Sequence, residues 1–136
     1  MRVETRARAR VLQALYAWDL RGEQPLERVA TQLWDDLSVP ADERRLAGPL
    51  VRTLVQHGPE LDDELADVTT NWRLERLAAI DRSVLRLGAA ELQRGETPPR
   101  VVIQEAVHLA ERYGTLKSAK FVNGVLDALA RRMGRI

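Results

Sequence analysis

Apolar residues recur at three- and four-residue spacing along almost the whole chain, and this periodicity constrains the fold more than any other feature. Such spacing places one apolar stripe along each amphipathic helix, whereas a half-buried strand alternates residue by residue. Few β-branched runs occur, while Ala, Leu, Arg and Glu, which favour helices, are abundant. The sequence therefore predicts an all-α fold, a compact bundle of about seven helices joined by short loops.

Glycine and proline interrupt the periodicity and set the predicted helix boundaries. Gly22 is placed to end the first helix, and Gly58-Pro59 separates the third helix from a short acidic fourth one. Pro49 predicts a kink or an early boundary within the third helix. Asn71 is the predicted N-cap of a long central helix. The predicted segments are 4–21, 25–37, 42–57, 60–68, 71–94, 97–113 and a last helix from about residue 115 onwards.

Composition limits what the chain can do. Its 136 residues suit a single domain, 1–136, with a real hydrophobic core. The absence of cysteine excludes disulfides, thiolate chemistry and cysteine metal sites. His57 and His108 stand alone, so we expect neither a metal nor a cofactor. No apolar run of eighteen residues occurs and no apolar segment follows the N-terminal arginines. We therefore expect a soluble cytoplasmic protein with no membrane association.

The sequence does not assemble the groups that an enzyme needs. A nucleophile with its base, a carboxylate pair in a cleft or a set of metal ligands would be required, and we find none of these. We therefore expect a non-catalytic protein. One function open to such a protein is that of a helical protein–protein interaction module that binds no nucleic acid. A helix-turn-helix DNA-binding protein is a weaker alternative, because no short recognition helix stands out.

Charge is distributed unevenly along the chain although the net charge is only +1. Residues 1–22 carry +3, residues 23–67 carry −7, residues 68–99 carry +1 and residues 100–136 carry +4. This pattern fits either an ordinary solvated surface of mixed charge or a bipolar surface with one side that attracts anions.

The N-terminal helix carries an unusual set of arginines. Arg2, Arg6 and Arg10 are spaced by four and share one face, with Arg8 beside them. Like charges at this spacing repel each other slightly, so an anionic partner would stabilise the arrangement. Tyr16 lies towards the same exposed side. It either joins that surface or covers a neighbouring helix with its hydroxyl in water.

The last helix carries a second candidate surface. Phe121, the only phenylalanine, is predicted to point about 80–100° away from the apolar stripe, towards Lys117 and Gly124. Lys117 and Lys120 are the only lysines, and Gly124 costs about 1 kcal/mol relative to alanine in a helix. Aromatic rings that stack bases, beside cations that follow phosphates, are what single-stranded RNA requires. If the two terminal helices lie adjacent, both surfaces form one site.

Five stretches resemble the NusB transcription antitermination factor family, in order along nearly the whole chain. Phe-Val-Asn-Gly-Val-Leu at 121–126 is the most specific part of the resemblance. The resembling stretches are Leu-Gln-Ala-Leu-Tyr at 12–16, Trp-Arg-Leu-Glu-Arg-Leu at 72–77, Asp-Arg-Ser-Val-Leu-Arg-Leu at 81–87, Val-Val-Ile-Gln-Glu-Ala-Val at 101–107 and Lys-Phe-Val-Asn-Gly-Val-Leu-Asp at 120–127.

The resemblance implies a NusB-like all-helical domain that binds boxA-type single-stranded RNA together with NusE, a small ribosomal protein. It further implies a role with other Nus factors in processive transcription, notably of ribosomal RNA operons. Glu75 and Asp81 are the candidate NusE contacts, because a basic partner favours carboxylates, although local ion pairs would also explain them. The candidate RNA-binding residues are Arg2, Arg6, Arg8, Arg10, Tyr16, Lys117, Ser118, Lys120 and Phe121.

One departure from the family falls in the N-terminal segment. Glu4-Thr5 stand where family members often carry an arginine pair, with Arg2 and Arg10 as candidate substitutes. The opposite charges of residues 23–67 and the two ends also favour pairing of two copies, but no broad exposed apolar patch is predicted. We therefore expect monomer and homodimer to be close in energy.

Overall fold

The computed structural model describes residues 1–136 and contains six α-helices, one short 3-10 helix and no strand. The all-α bundle of about seven helical segments is confirmed. Glycines in the left-handed conformation end α1 and α4 as predicted, at Gly22 and Gly95, each with φ near 70°. The helices are α1 (Val3–Arg21), α2 (Leu26–Asp36), α3 (Ala41–Val68), α4 (Ala79–Arg94), α5 (Pro99–Tyr113) and α6 (Ser118–Arg132), with the 3-10 helix at Leu74–Arg76.

The predicted break at Gly58-Pro59 is wrong, because α3 continues for 28 residues through both Pro49 and Pro59. A proline within a helix costs about 3 kcal/mol. Four leucines that follow Pro49 and flank Pro59 are buried, each worth about 1.5–3 kcal/mol. Their burial against α1 and α4 outweighs the lost helical hydrogen bonds. These leucines are Leu50, Leu54, Leu61 and Leu65.

The predicted long helix from Asn71 is also wrong, because α4 begins only at Ala79. The segment before it holds the 3-10 helix, and Arg82 stabilises this turn. Its Nη1 group donates hydrogen bonds to the carbonyls of Leu74, at 3.0 Å, and Leu77, at 2.8 Å. In a continuous helix these carbonyls would accept hydrogen bonds from backbone N–H groups one turn later. Here they accept hydrogen bonds from the Arg82 side chain of α4.

Helix α4 lies at the centre of the bundle, where it packs on α1, α3, α5 and α6. One continuous core of 32 buried hydrophobic residues joins these helices. At Gly88, α4 approaches α6 so closely that a Cβ atom would lie 2.6 Å from Leu126 Cδ1. Helix α1 packs mainly on α2, α3 and α4, whereas α6 packs mainly on α5, α4 and α3. The two terminal helices therefore lie on different sides of the centre.

Candidate nucleic-acid interface

Two of the arginines predicted to form an outward stripe on α1 converge on one carboxylate of α3. Glu43 Oε1 accepts a hydrogen bond from Arg10 Nε at 2.9 Å, and Oε2 accepts one from Arg6 Nε at 3.2 Å. The Glu43 side chain is only 5% exposed. Arg2 is exposed and pairs with Glu4 at 3.3 Å. The Glu43 carboxylate therefore supplies a negative charge that balances Arg6 and Arg10, and both arginines stay partly accessible.

Arg8, predicted as an RNA contact, lies in the interior. Its Nε and Nη2 groups bind the carboxylate of Glu91 on α4 at 2.9–3.1 Å, and Nη1 lies 3.4 Å from Glu105 on α5. Burial disfavours the charged guanidinium, but the hydrogen bonds and charges of Glu91 and Glu105 outweigh it and raise the pKa of Arg8. Thr5 donates a hydrogen bond to Glu105 at 3.0 Å. This corrects the sequence interpretation, because Arg8 joins α1 to α4 and α5.

A groove of about 230 Å³ separates the exposed side of α1 from the last turns of α5. Arg6 and Arg10 line one wall. Arg112 and Tyr113 line the other, with the Arg112 guanidinium 5.5 Å from the Tyr113 ring centroid. No carboxylate lines the groove. Its ten lining residues are Met1, Thr5, Arg6, Ala9, Arg10, Gln13, His108, Leu109, Arg112 and Tyr113.

Sequence reasoning missed the α5 wall of this groove. His108 and Arg112 are spaced by four and therefore share a face at the end of α5, and Tyr113 directly precedes Gly114. That spacing was a usable signal. What it could not supply was the position of this face opposite α1, which depends on how both helices pack against α4.

The start of α6 presents the second predicted surface in modified form. Lys117 and Lys120 are exposed. Ser118 is buried, and its hydroxyl oxygen accepts a hydrogen bond from the Thr115 amide at 3.0 Å, so it closes the turn before α6. Phe121 is half-buried and packs against the core. It lies one turn before buried Val125, so it flanks the apolar stripe more closely than predicted.

The two predicted RNA surfaces do not lie on adjacent helices, in contrast to the expectation. Helices α1 and α6 share no substantial packing interface, and α5 connects the two surfaces instead. The end of α5 forms one wall of the groove with α1, and the turn at Gly114 then leads directly to Lys117. The cationic residues therefore form a path from the N-terminal half of α1 across the end of α5 to the start of α6.

The candidate protein-contact residues lie near the other end of α1. Glu75 is exposed in the 3-10 helix. Tyr16, which was predicted as an RNA contact, is 37% exposed on α1 but does not line the groove. Asp81 is half-buried in the first turn of α4, and its Oδ1 atom is buried without a hydrogen-bond partner. This buried oxygen cannot be reached by a donor from outside the chain, so only the accessible part of the Asp81 side chain is open to a partner.

An ion-pair network fixes α1, α3 and α4 beside these residues. Asp19 on α1 binds Arg82 and Arg86 of α4, and Arg86 also binds Asp62 of α3 at 3.0 Å. The Arg86 guanidinium lies 5.3 Å from the Trp18 ring centroid. Burial would raise the pKa of Asp19, but the hydrogen bonds and charges of the two arginines outweigh burial and lower it. Asp19 is therefore ionised and holds the three helices together.

The structure contains no group of three or more acidic or histidine side chains placed to bind a metal ion. None of the six helices combines the length and apolar character that crossing a membrane would require.

Known proteins resemble this chain in both sequence and structure. The sequence profile of the NusB family matches residues 5–131. The chain is 44% identical over 132 residues to the transcription antitermination protein NusB of Solibacter usitatus (strain Ellin6076), covering 94% of this chain and 88% of that protein. T. maritima NusB superimposes with a TM-score of 0.87 at 34% identity, over 94% of this chain and 90% of that one. A crystal structure of antitermination factors NusB and NusE in complex with dsRNA also gives 0.87 at 34% identity, over 97% and 98%.

Proposed function

The chain belongs to the NusB family, and we propose that it binds boxA-type single-stranded RNA together with NusE in a transcription complex with other Nus factors. Its relative in Solibacter usitatus is a transcription antitermination protein, and another similar structure holds NusB, NusE and dsRNA. We further propose that the chain has a non-catalytic, cytoplasmic role in processive transcription, notably of ribosomal RNA operons.

The groove between α1 and α5 carries the RNA part of this proposal. Single-stranded RNA is bound by cations that follow its phosphates and by aromatic rings on which bases stack. Arg6, Arg10 and Arg112 supply the cations, and Tyr113 supplies a ring at the same groove. The absence of carboxylates from the lining favours an anionic ligand over a cationic one.

The proposed RNA path continues from this groove to the start of α6. The turn after Tyr113 leads to Lys117, and Lys120 is exposed one turn further on. The accessible part of Phe121 is available for a base, while its buried part packs against the core. Gly124 follows one turn later, and a Cβ atom there would meet nothing within 4 Å, so the helix backbone is open to a ligand.

NusE is proposed to bind near the first turn of α4. Asp81 is half-buried there, and the negative charge of its side chain favours the arginine and lysine groups of a basic partner. Glu75 is exposed in the segment just before this turn and adds a second carboxylate. RNA and NusE would then occupy different surfaces, so both can bind at once.

Binding of labelled boxA-type single-stranded RNA over a salt series, with and without NusE, tests the proposal. We expect weak binding by the chain alone and tighter binding with NusE, with an affinity that falls as salt rises because phosphate contacts release counterions. If the RNA affinity is the same with and without NusE at every salt concentration, cooperative binding of RNA and NusE is contradicted. No RNA binding under either condition would favour a protein–protein interaction module instead.

A further inference from the structure

A single buried carboxylate orients the two arginines of α1 that line the groove. Glu43 lies in the first turn of α3, where the helix N-terminus favours a negative charge. Its backbone amide donates a hydrogen bond to Asp42 Oδ1 at 2.8 Å. Each carboxylate oxygen accepts a hydrogen bond from one arginine, Oε1 from Arg10 and Oε2 from Arg6. Because the Glu43 side chain is only 5% exposed, a phosphate cannot take its place on the inner side of the two guanidiniums.

The arginines use only part of their donor capacity within the chain. Both bind Glu43 through Nε. Arg6 Nη1 donates to the carbonyl of Met1, and Arg10 Nη1 donates to Gln13 Oε1 at 3.3 Å. Neither Nη2 group has a partner in the chain. The Arg6 and Arg10 side chains are 40% and 27% exposed and line the groove, so one edge of each guanidinium is held inside while donors remain for a ligand.

We propose that Glu43 is a positioning residue of the RNA site, which holds Arg6 and Arg10 in one orientation before RNA arrives. An arginine loses considerable rotamer freedom when it is fixed on a phosphate. A side chain already held by Glu43 has lost much of that freedom on folding, so less is lost on binding. The inference rests on the proposed function, since it takes an RNA phosphate as the ligand of both arginines.

Positioning and simple electrostatics predict opposite effects for the same substitution. Glu43→Gln removes a negative charge close to both arginines, and electrostatics alone would then predict tighter RNA binding with a steeper salt dependence. Positioning predicts weaker binding despite the added positive charge. We expect an affinity loss of up to about tenfold, because the neutral amide has a single oxygen acceptor and cannot hold both guanidiniums, with no increase in the salt slope.

Glu111→Gln is the matched control. Glu111 is an exposed carboxylate on the last turn of α5, one residue before Arg112, and it forms no ion pair. Its substitution makes the same change in net charge near the same groove without releasing an arginine. We expect unchanged or slightly tighter binding for this variant. Binding of Glu43→Gln as tight as that of Glu111→Gln would overturn the positioning role.

A second pair of measurements separates this inference from the proposed function. In NMR spectra of the RNA-free protein, the Nε–H signals of Arg6 and Arg10 should be protected from exchange in the wild type, and at least one of them should lose that protection in Glu43→Gln. Unprotected wild-type signals would overturn the positioning role even if RNA binds. The wild-type signals could instead be protected while the chain binds no RNA, with or without NusE. That result would overturn the proposed function, and the role of Glu43 at an RNA site would be overturned as well.

Should Glu43→Gln fail to fold, substitution of both arginines by lysine provides the test. Lysine keeps the positive charge but cannot bind a buried carboxylate through Nε while a second edge binds a phosphate. We expect about tenfold weaker RNA binding for Arg6→Lys/Arg10→Lys, with a salt slope close to that of the wild type. Wild-type affinity in this doubly substituted chain would show that charge alone is sufficient and would overturn the inference.

Discussion

Arg8 and Arg10 lie two residues apart on α1 and both bind a buried carboxylate, yet they serve different regions of the molecule. The Arg8 side chain is 9% exposed and is enclosed by Glu91 and Glu105, so its donors face the interior. The Arg10 side chain is 27% exposed and keeps donors in the groove. The comparison shows that arginine content alone does not define a nucleic-acid surface. What matters is whether an edge of the guanidinium remains outside after the internal pair has formed.

Of the substitutions considered, Arg8→Ala should have the largest effect, a decrease in the free energy of unfolding. The substitution leaves Glu91, whose side chain is 7% exposed, without its principal partner. An uncompensated buried charge of this kind costs about 3–5 kcal/mol of unfolding free energy. Urea denaturation measures the loss, and Arg10→Ala is the control because Glu43 keeps Arg6 as a partner. A loss below about 1 kcal/mol would show that the pair is not part of the folded core.

Asp19→Asn should reduce stability by about 1–3 kcal/mol at neutral pH, because Arg82 and Arg86 lose a charged acceptor. The lowered pKa of Asp19 also gives this difference a pH dependence. The stabilisation is fully present above the unfolded-state pKa of about 3.9 and is lost as pH falls through the lower folded-state pKa. Thermal unfolding from pH 7 to pH 2 should show the two proteins converging in acid. A difference that stays constant over this range would exclude ionised Asp19 as its source.

Arg112→Ala should change RNA binding with little effect on stability. Arg112 is exposed, and the Tyr113 ring is the only aromatic group that its guanidinium contacts. If it contacts one phosphate, the slope of log affinity against log salt should decrease by about one unit. The unfolding free energy should change by no more than about 0.5 kcal/mol. Arg100→Ala, at the opposite end of α5, is the control and should leave the slope unchanged. An unchanged slope for Arg112→Ala would remove the α5 wall from the proposed interface.

Gly124→Ala should increase the free energy of unfolding slightly, in contrast to the losses expected for Arg8→Ala and Asp19→Asn. A Cβ atom at this position meets no neighbour, so alanine should stabilise α6 by up to about 1 kcal/mol. Thermal unfolding measures this gain. Weaker RNA binding by the stabilised variant would indicate that RNA approaches the bare helix closely, whereas unchanged binding would place the RNA path before this turn. A loss of stability would contradict the open position of Gly124.

Apolar periodicity was sufficient to predict most of the fold, because each helix buries one stripe and α1 and α4 end at glycine. It failed where distant packing overrides local signals. Pro59 would end an isolated helix, but buried Leu61 and Leu65 keep α3 continuous. The late start of α4 depends on Arg82, whose side chain satisfies carbonyls of the preceding turn.

The candidate site could be predicted only in part. Lys117 and Lys120 are exposed as expected from their position beside the apolar stripe. Arg8 lies four residues before buried Leu12, so its spacing already indicated the inner face, but its partner Glu91 is 83 residues away in sequence. Pairing of α1 with the end of α5 likewise depends on the tertiary fold. No local pattern contains that information.

Mapping RNA binding on the folded chain by NMR shows whether the α1–α5 groove and the start of α6 form one RNA site. Addition of boxA-type single-stranded RNA to isotopically labelled protein, with and without NusE, should shift amide signals of the N-terminal half of α1, the end of α5 and the start of α6 together. Signals of α2 and of the middle of α3, which lie away from the groove, should stay in place. Shifts confined to α2 and α3, or shifts at α6 without any at the α1–α5 groove, would show that RNA does not bind along the proposed path.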